Sequence, residues 1–172
     1  MQITDAKNVK RFQPGAFFIS LGITLFIGMV ASYFTRTQIP VWYRLLLKPS
    51  FTPPNWVFPV AWTTLYILIA TSAYLVWKRR FTRTDFKKTS VIYAIQLMLN
   101  FSWSIVFFGM HQILGGLINI IILWIFIILN IIAFSKYSKT AAWLLVPYLI
   151  WVSYATILNL AILTFNPNPP VL

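Results

Sequence analysis

Long uncharged stretches dominate the pattern of polar and apolar positions along the chain. A membrane core of about 30 Å requires roughly 20 apolar residues of helix. Four stretches without Lys, Arg, Asp or Glu reach that length: Phe12–Thr35, Pro49–Trp77, Thr89–Ser135 and Thr140–Leu172. The third can hold two helices joined by a turn at His111 and Gln112. The pattern therefore predicts five helices, at about 14–34, 54–78, 89–109, 113–134 and 141–165.

This pattern predicts an all-α membrane protein, a five-transmembrane-helix bundle, because unpaired backbone groups are too costly in lipid for other folds. The domain occupies residues 14–165, between a basic tail at 1–13 and a short tail at 166–172. In the first loop, Arg44 and Lys48 stand four residues apart among leucines and aromatics. Such spacing is typical of a short amphipathic helix lying at the membrane surface.

Composition and charge agree with this class and orient it. The 172 residues are 59% hydrophobic and 9% charged, with 14 Lys+Arg against 2 Asp+Glu, giving a net charge of +12. Basic residues mark cytoplasmic loops, so the distribution predicts a cytoplasmic amino terminus and a carboxyl terminus on the opposite side. The opposite side would carry Arg36, Arg44 and Lys48, and the cytoplasmic side Lys7, Lys10, Arg11, Lys78, Arg79, Arg80, Arg83, Lys87, Lys88, Lys136 and Lys139.

The side chains of ordinary catalysis are scarce. The chain has no Cys, one His, and two carboxylates, Asp5 and Asp85, in predicted aqueous flanks. We therefore expect no metal site, no cofactor and no conventional catalytic residue, and we interpret His111 as a turn residue. No basic face is interleaved with base-stacking aromatics, so a nucleic-acid partner is not expected either.

Aromatic residues instead form stripes on three predicted helices. Trp62 and Tyr66 follow the helix-kinking Pro59 on one face of the second helix. Two further stripes have helical spacing, one of Gln96, Asn100, Trp103 and Phe107 and one of Trp151, Ala155, Leu158 and Asn159. Faces of this kind, without fixed charge, suit a flat apolar ligand with polar edges.

Two features of these helices allow plainer interpretations. Gln96 and Asn100 can equally serve as hydrogen-bonding glue between helices. Small-residue sites can mark close helix contacts or a homodimer face; they comprise Gly28, Ser32, Gly115, Gly116 and Asn119.

Three motifs resemble a known family, the translocator proteins, also called tryptophan-rich sensory proteins or peripheral-type benzodiazepine receptors. The motifs are WYRLLLKPSFTPPNWVFPVAWTTLY from Trp42 to Tyr66, NFSWSIVFFG from Asn100 to Gly109, and PYLIWVSYATILN from Pro147 to Asn159. The resemblance covers about residues 14–165. It implies a five-helix bundle, often dimeric, that binds porphyrins and related tetrapyrroles, and in some members sterols or benzodiazepine-type drugs, in a cavity closed by the first loop.

The resemblance carries a ligand-binding role to particular positions. Trp56 and Trp62 would be cavity or lid residues, and the third- and fifth-helix stripes would form facing walls. The complete candidate set is Trp42, Tyr43, Trp56, Phe58, Trp62, Tyr66, Asn100, Trp103, Phe107, Trp151, Ala155, Leu158 and Asn159.

The leading hypothesis is a porphyrin-binding sensor, carrier or scavenger surrounded by membrane lipids. One alternative is an enzyme that degrades porphyrin photochemically, with Trp56, Trp62 or Trp151 as electron donors. Another is a structural or lipid- or sterol-binding membrane protein. The chain departs from the family pattern at Phe51, where the family usually has Trp, and Leu160 and Ala161 replace the Tyr and basic residue of sterol-binding relatives.

Overall fold

The computed structural model describes residues 12–169 and contains six α-helices in that range. They are α1 (Pro14–Gln38), α2 (Val57–Lys78), α3 (Phe86–Ser104), α4 (Ile113–Ser135), α5 (Lys139–Leu144) and α6 (Val146–Phe165). The structure has five helical segments long and apolar enough to span a membrane, with α5 and α6 together forming the fifth. The predicted all-α, five-span architecture is confirmed. Most of the predicted amino-terminal tail and the last three residues lie outside the described range.

Wide π-helical turns extend two of the spans. One turn, Ile39–Tyr43, follows α1 directly, and the other, Ile105–Gly109, follows α3. Pro40 lacks a backbone N–H, so the regular hydrogen-bond ladder is interrupted where the first π turn begins. The amphipathic segment predicted before Pro49 is thus a continuation of α1, with Trp42 and Tyr43 buried.

The fifth span contains a break that sequence periodicity did not predict. The short α5 ends at Leu144, and α6 begins at Val146 with Pro147 in its first turn. Proline is tolerated there because the first N–H groups of a helix have no intrahelical acceptor. The Ser138 hydroxyl accepts a hydrogen bond from the Ala141 N–H and caps the start of α5.

The helices close into a ring. Helix α1 packs against both α2 and α3, α3 packs against α4, and α4 packs against α5 and α6. Helix α5 returns to α2, while α6 itself makes little contact with α2. This arrangement leaves space in the half of the bundle bounded by α1, α2, α3 and α6.

Two basic loops meet at one end of the bundle. The Arg79 guanidinium donates to the Tyr137 carbonyl, and the Tyr137 hydroxyl donates to an Asp85 carboxylate oxygen at 2.8 Å. Lys136 pairs with the same carboxylate at 3.9 Å. Hydrogen bonds from Arg83 and then Tyr137 lower the pKa of Asp85, which favours its charged form. The loops before α3 and before α5 therefore lie on the same side, as the charge pattern predicts.

Glycine allows the closest approach between helices. A Cβ at Gly28 on α1 would lie 2.3 Å from Cε2 of Tyr66 on α2, well inside van der Waals contact. A Cβ at Gly116 would lie 2.9 Å from Phe107 and 3.2 Å from the Asn159 side-chain oxygen. These small residues serve contacts within one chain, so a homodimer face at them stays a prediction.

We expect Gly28→Ala to lower the free energy of unfolding by about 1–3 kcal/mol, because the new methyl group must displace the Tyr66 ring. Gly22→Ala is the matched control on the same helix, since a Cβ there meets nothing within 4 Å. The measurement is thermal unfolding of both purified variants in detergent, followed by circular dichroism. Equal midpoints for the two variants would contradict the close approach.

Candidate ligand-binding cavity

A cavity of about 410 Å³ lies between α1, α2, α3 and α6. Its walls are mostly aromatic and aliphatic, and it reaches from the exposed loop before α2 to buried amide groups on α3 and α6. The volume falls within the range of about 300–1,000 Å³ that is typical of small-molecule sites.

The structure brings together eleven of the thirteen predicted site residues in the lining of this cavity. They come from all three predicted aromatic stripes and from the end of the first span. These eleven residues are Tyr43, Phe58, Trp62, Tyr66, Asn100, Trp103, Phe107, Trp151, Ala155, Leu158 and Asn159.

The other two predicted site residues, Trp42 and Trp56, lie outside the lining. Trp42 is fully buried, with its ring stacked on His111 at 4.6 Å and edge-on to Phe107 at 5.5 Å. Trp42 therefore supports Phe107 from outside the cavity. Trp56 stands just before α2 and is 68% exposed. Helical periodicity cannot place these residues, because both belong to the irregular backbone of the first loop and its flanks.

Stacked rings form the cavity walls. Trp62 lies against Tyr66 with ring centres 5.6 Å apart, and Trp103 lies nearly parallel to Phe107 at 5.3 Å. Phe58 presents its edge to Trp151 at 6.1 Å. Aromatic pairs with this spacing stabilise each other, so the rings of each pair help to hold one another in position.

Amide and phenol groups join three helices beside the cavity. The Tyr66 hydroxyl donates to the Asn100 side-chain oxygen at 2.7 Å. The Tyr148 hydroxyl accepts from the Asn100 amide at 2.8 Å and from the Gln96 amide at 2.9 Å. Gln96 is buried away from the cavity, so its role is to hydrogen-bond neighbouring helices together. Asn100 also joins helices, but it lines the cavity as well.

A second polar contact fixes the wall formed by α6. The Asn159 amide donates to the Ile113 carbonyl at 3.0 Å, and the Trp103 indole N–H donates to the Asn159 side-chain oxygen at 3.4 Å. This buried asparagine therefore joins α3, the start of α4 and α6.

Hydrogen bonds hold the first loop against α6 and the residues that follow it. Asn166, just after α6, exchanges two hydrogen bonds of 2.9 Å with the backbone N–H and carbonyl of Leu47. The Tyr154 hydroxyl donates to the Phe51 carbonyl at 2.7 Å. The Lys48 ammonium donates to the carbonyls of Tyr43 and Leu46, each at 2.8 Å, while partial burial lowers the pKa of Lys48.

Comparison with known proteins identifies the family to which this fold belongs. Residues 20–164 match the model of the TspO/MBR family. The chain belongs to the TspO/MBR family. It is 45% identical over 149 residues to the tryptophan-rich protein TspO of Chlorobaculum tepidum, covering 87% of this chain and 94% of that protein.

Two further TspO/MBR relatives show how widely the similarity extends. The tryptophan-rich protein TspO of Archaeoglobus fulgidus is 44% identical, with 86% of this chain and 94% of the relative covered. The human translocator protein is 35% identical, with 81% and 85% covered. Family membership and five spanning segments make this chain an integral, multi-pass membrane protein.

The three aromatic stripes carry no fixed charge, but the cavity has a further wall from the first span that does. Arg36 lines the cavity there, together with further residues that the aromatic stripes do not include. Along α1 and into the π turn that follows it, these cavity residues have helical spacing: Gly28, Ala31, Ser32, Thr35, Arg36 and Ile39. This i, i+3, i+4, i+7, i+8, i+11 spacing is the sequence signal that could have revealed this wall. It is ambiguous, because a face of small residues is equally typical of close packing between two helices. Asn55, Pro59, Ser104, Phe108 and Ile162 complete the lining.

Neither His111 nor a metal cluster adds chemistry to this TspO/MBR cavity. His111 lies in the turn before α4 with a φ of 56°, and its Nε2 lies 3.0 Å from the Gln38 side-chain oxygen. The turn position matches the sequence-based interpretation. Among residues 12–169, no group of three His, Cys, Asp or Glu side chains is placed to hold a metal ion.

We expect Tyr148→Phe to destabilise the protein by about 1–3 kcal/mol, because the buried Gln96 and Asn100 amides both lose their acceptor. Tyr33→Phe is the control, since Tyr33 is 69% exposed. Chemical unfolding of both variants in mixed micelles gives the difference. A loss no larger for Tyr148→Phe than for Tyr33→Phe would show that the phenol is not a required acceptor.

Proposed function

We propose that this TspO/MBR protein binds a porphyrin or related tetrapyrrole in the cavity and acts as its sensor, carrier or scavenger. The observation that carries the proposal is a cavity of about 410 Å³ whose walls are aromatic rings from three spans, two of which contribute stacked pairs. Flat macrocycles gain most from such walls, because their faces bury apolar area and stack on rings.

The distribution of polar groups supports a flat ligand over an ion or a sugar. The buried amides of Asn100 and Asn159 are already bonded to protein groups, so neither offers a full set of free donors and acceptors to a ligand. A sugar would leave its hydroxyls unpaired there, at a cost for each buried polar group. An apolar ring has no such requirement.

Photochemical degradation of the bound porphyrin is an alternative activity of the same cavity. Trp62, Trp103 and Trp151 line it, so an excited macrocycle would lie beside oxidisable indoles. Trp56 is the least suitable of the donors considered, because it is exposed and outside the lining. Binding of the porphyrin requires only the cavity, whereas its degradation also requires electron transfer from an indole. Binding is therefore the function that we propose.

Filling the cavity should prevent binding without unfolding the protein. Ala155 lies on the α6 wall near Trp151 and Leu158, and Ala155→Leu would occupy the space between them. We expect protoporphyrin IX affinity to fall about tenfold or more, matching a steric cost of about 1–3 kcal/mol. Saturable quenching of tryptophan fluorescence in detergent measures the affinity.

The matched control is Ile157→Phe on the same helix, where the side chain is 59% exposed. It should bind protoporphyrin IX like the parent. Equal affinities for the parent and Ala155→Leu would place the ligand elsewhere. No saturable quenching of the parent would favour the structural or lipid- and sterol-binding alternative.

We also propose that the exposed end of the cavity faces away from the cytoplasm. Arg36 and Asn55 mark that end, whereas the loops rich in Lys and Arg meet at the other end around Asp85. Positive loops stay on the cytoplasmic side, which puts the amino terminus inside and the carboxyl terminus outside.

Reporter fusions at the two termini test this orientation. A fluorescent reporter that matures only in the cytoplasm should be active at the amino terminus, and a phosphatase that needs export should be active at the carboxyl terminus. The reverse pair of activities would overturn the orientation and leave the cavity unaffected.

A further inference from the structure

One fixed charge stands out in the lining of the cavity. Of the described lining residues, Arg36 alone carries a formal charge, and it lies near the carboxyl end of α1, at the exposed end of the cavity. Arg36 is an exposed residue, so water can reach its charge. It can therefore meet a ligand without a large prior desolvation cost.

Arg36 differs from its basic neighbours because it lines the cavity and its side chain has no protein partner in the described part of the chain. Lys48 is committed to backbone carbonyls of the first loop and lies over the Tyr43 ring at 4.9 Å. Arg44 is exposed and does not line the cavity. Asp85, the described carboxylate, is paired with Arg83 and Lys136 at the opposite end of the bundle. Nothing described at this end neutralises the Arg36 guanidinium.

The neighbours of Arg36 in the lining add donors. Asn55, on the loop before α2, also lines the exposed end, and its amide makes no hydrogen bond to another described residue. The hydroxyls of Ser32 and Thr35 already donate to carbonyls of their own helix, at 2.8 and 3.3 Å. The Arg36 guanidinium and the Asn55 amide are therefore free to donate at this end, and two such donors suit an anionic oxygen acceptor.

The deep part of the cavity has the opposite character. Its lining residues are uncharged, the amides of Asn100 and Asn159 are bonded to protein groups, and most of its surface is aromatic or aliphatic. A ligand that satisfies both ends has an apolar ring for the deep part and an anionic group at its edge. A carboxylate matches the planar fork of a guanidinium with two parallel hydrogen bonds.

We propose that Arg36 makes the cavity selective for ring-bearing carboxylates, by pairing with an acid group at the edge of a ring that lies between the aromatic walls. The inference rests on the proposed function, and it adds the ligand's charge and its direction of insertion. The ring enters first, and the acid stays at the exposed end beside Arg36.

Protoporphyrin IX and its dimethyl ester test the proposal, because they share one macrocycle and differ in charge. Tryptophan quenching in a zwitterionic or neutral detergent gives an affinity for each. We expect the parent protein to bind the acid about tenfold more tightly than the ester, as a charge-assisted hydrogen bond predicts. Raising the salt concentration should weaken binding of the acid and leave the ester unchanged, because the pair is at an exposed rim.

Three variants assign the preference to one residue. Arg36→Gln should weaken binding of the acid about tenfold and leave the ester unchanged, so that the two affinities converge. Arg36→Lys should keep part of the preference, since it keeps the charge but loses the fork. Arg44→Gln is the matched control, a neighbouring exposed arginine outside the lining, and should retain the full preference.

Several results would overturn the inference. If the parent bound the acid and the ester with equal affinity, the inference would be wrong and the proposed function would stand. The same holds if Arg36→Gln kept the parent's preference for the acid. An equal loss of both ligands in Arg36→Gln would show a packing role rather than charge recognition. No saturable quenching by either compound would contradict the proposed function itself and the inference with it.

Discussion

A buried phenol holds the cavity half of this bundle together. In lipid no water is available to satisfy a buried amide, so each one needs an acceptor within the protein. The fully buried Tyr148 hydroxyl on α6 supplies it for both Gln96 and Asn100 on α3, and Asn100 in turn accepts from Tyr66 on α2. Three helices are thereby held in one register. The aromatic walls can then remain apart around an open space instead of collapsing into an ordinary core.

The loops at the two ends of the bundle are held by different kinds of interaction. At one end, Arg79, Arg83, Lys136 and Tyr137 gather around Asp85 and the loop carbonyls, which joins the basic loops. At the other end the first loop is held by hydrogen bonds to backbone groups, from the Lys48 ammonium and, reciprocally, between Asn166 and Leu47. A free guanidinium can therefore remain there, at the exposed end of an otherwise apolar cavity.

Much of this arrangement could be predicted from the sequence, because it depends on the helical period and on the length of each uncharged stretch. Uncharged stretches define the five spans, and the spacing of Asn100, Trp103 and Phe107 places them on one face. Arg36 could not be assigned in the same way, because a charged residue near the end of a span normally points to water or headgroups. No stripe on a helix supports a site role for Trp42 or Trp56, and the π turn and the loop backbone direct both away from the lining. The break before Pro147 likewise depends on tertiary packing.

We infer that a flat macrocycle occupies the space between α1, α2, α3 and α6. A structure of the protein determined with protoporphyrin IX bound would show where the ring lies. We expect density for the ring between Trp62, Trp103 and Trp151, with the propionate edge toward Arg36. Density for the ring on the lipid-facing surface, with the cavity filled by detergent or collapsed, would contradict it.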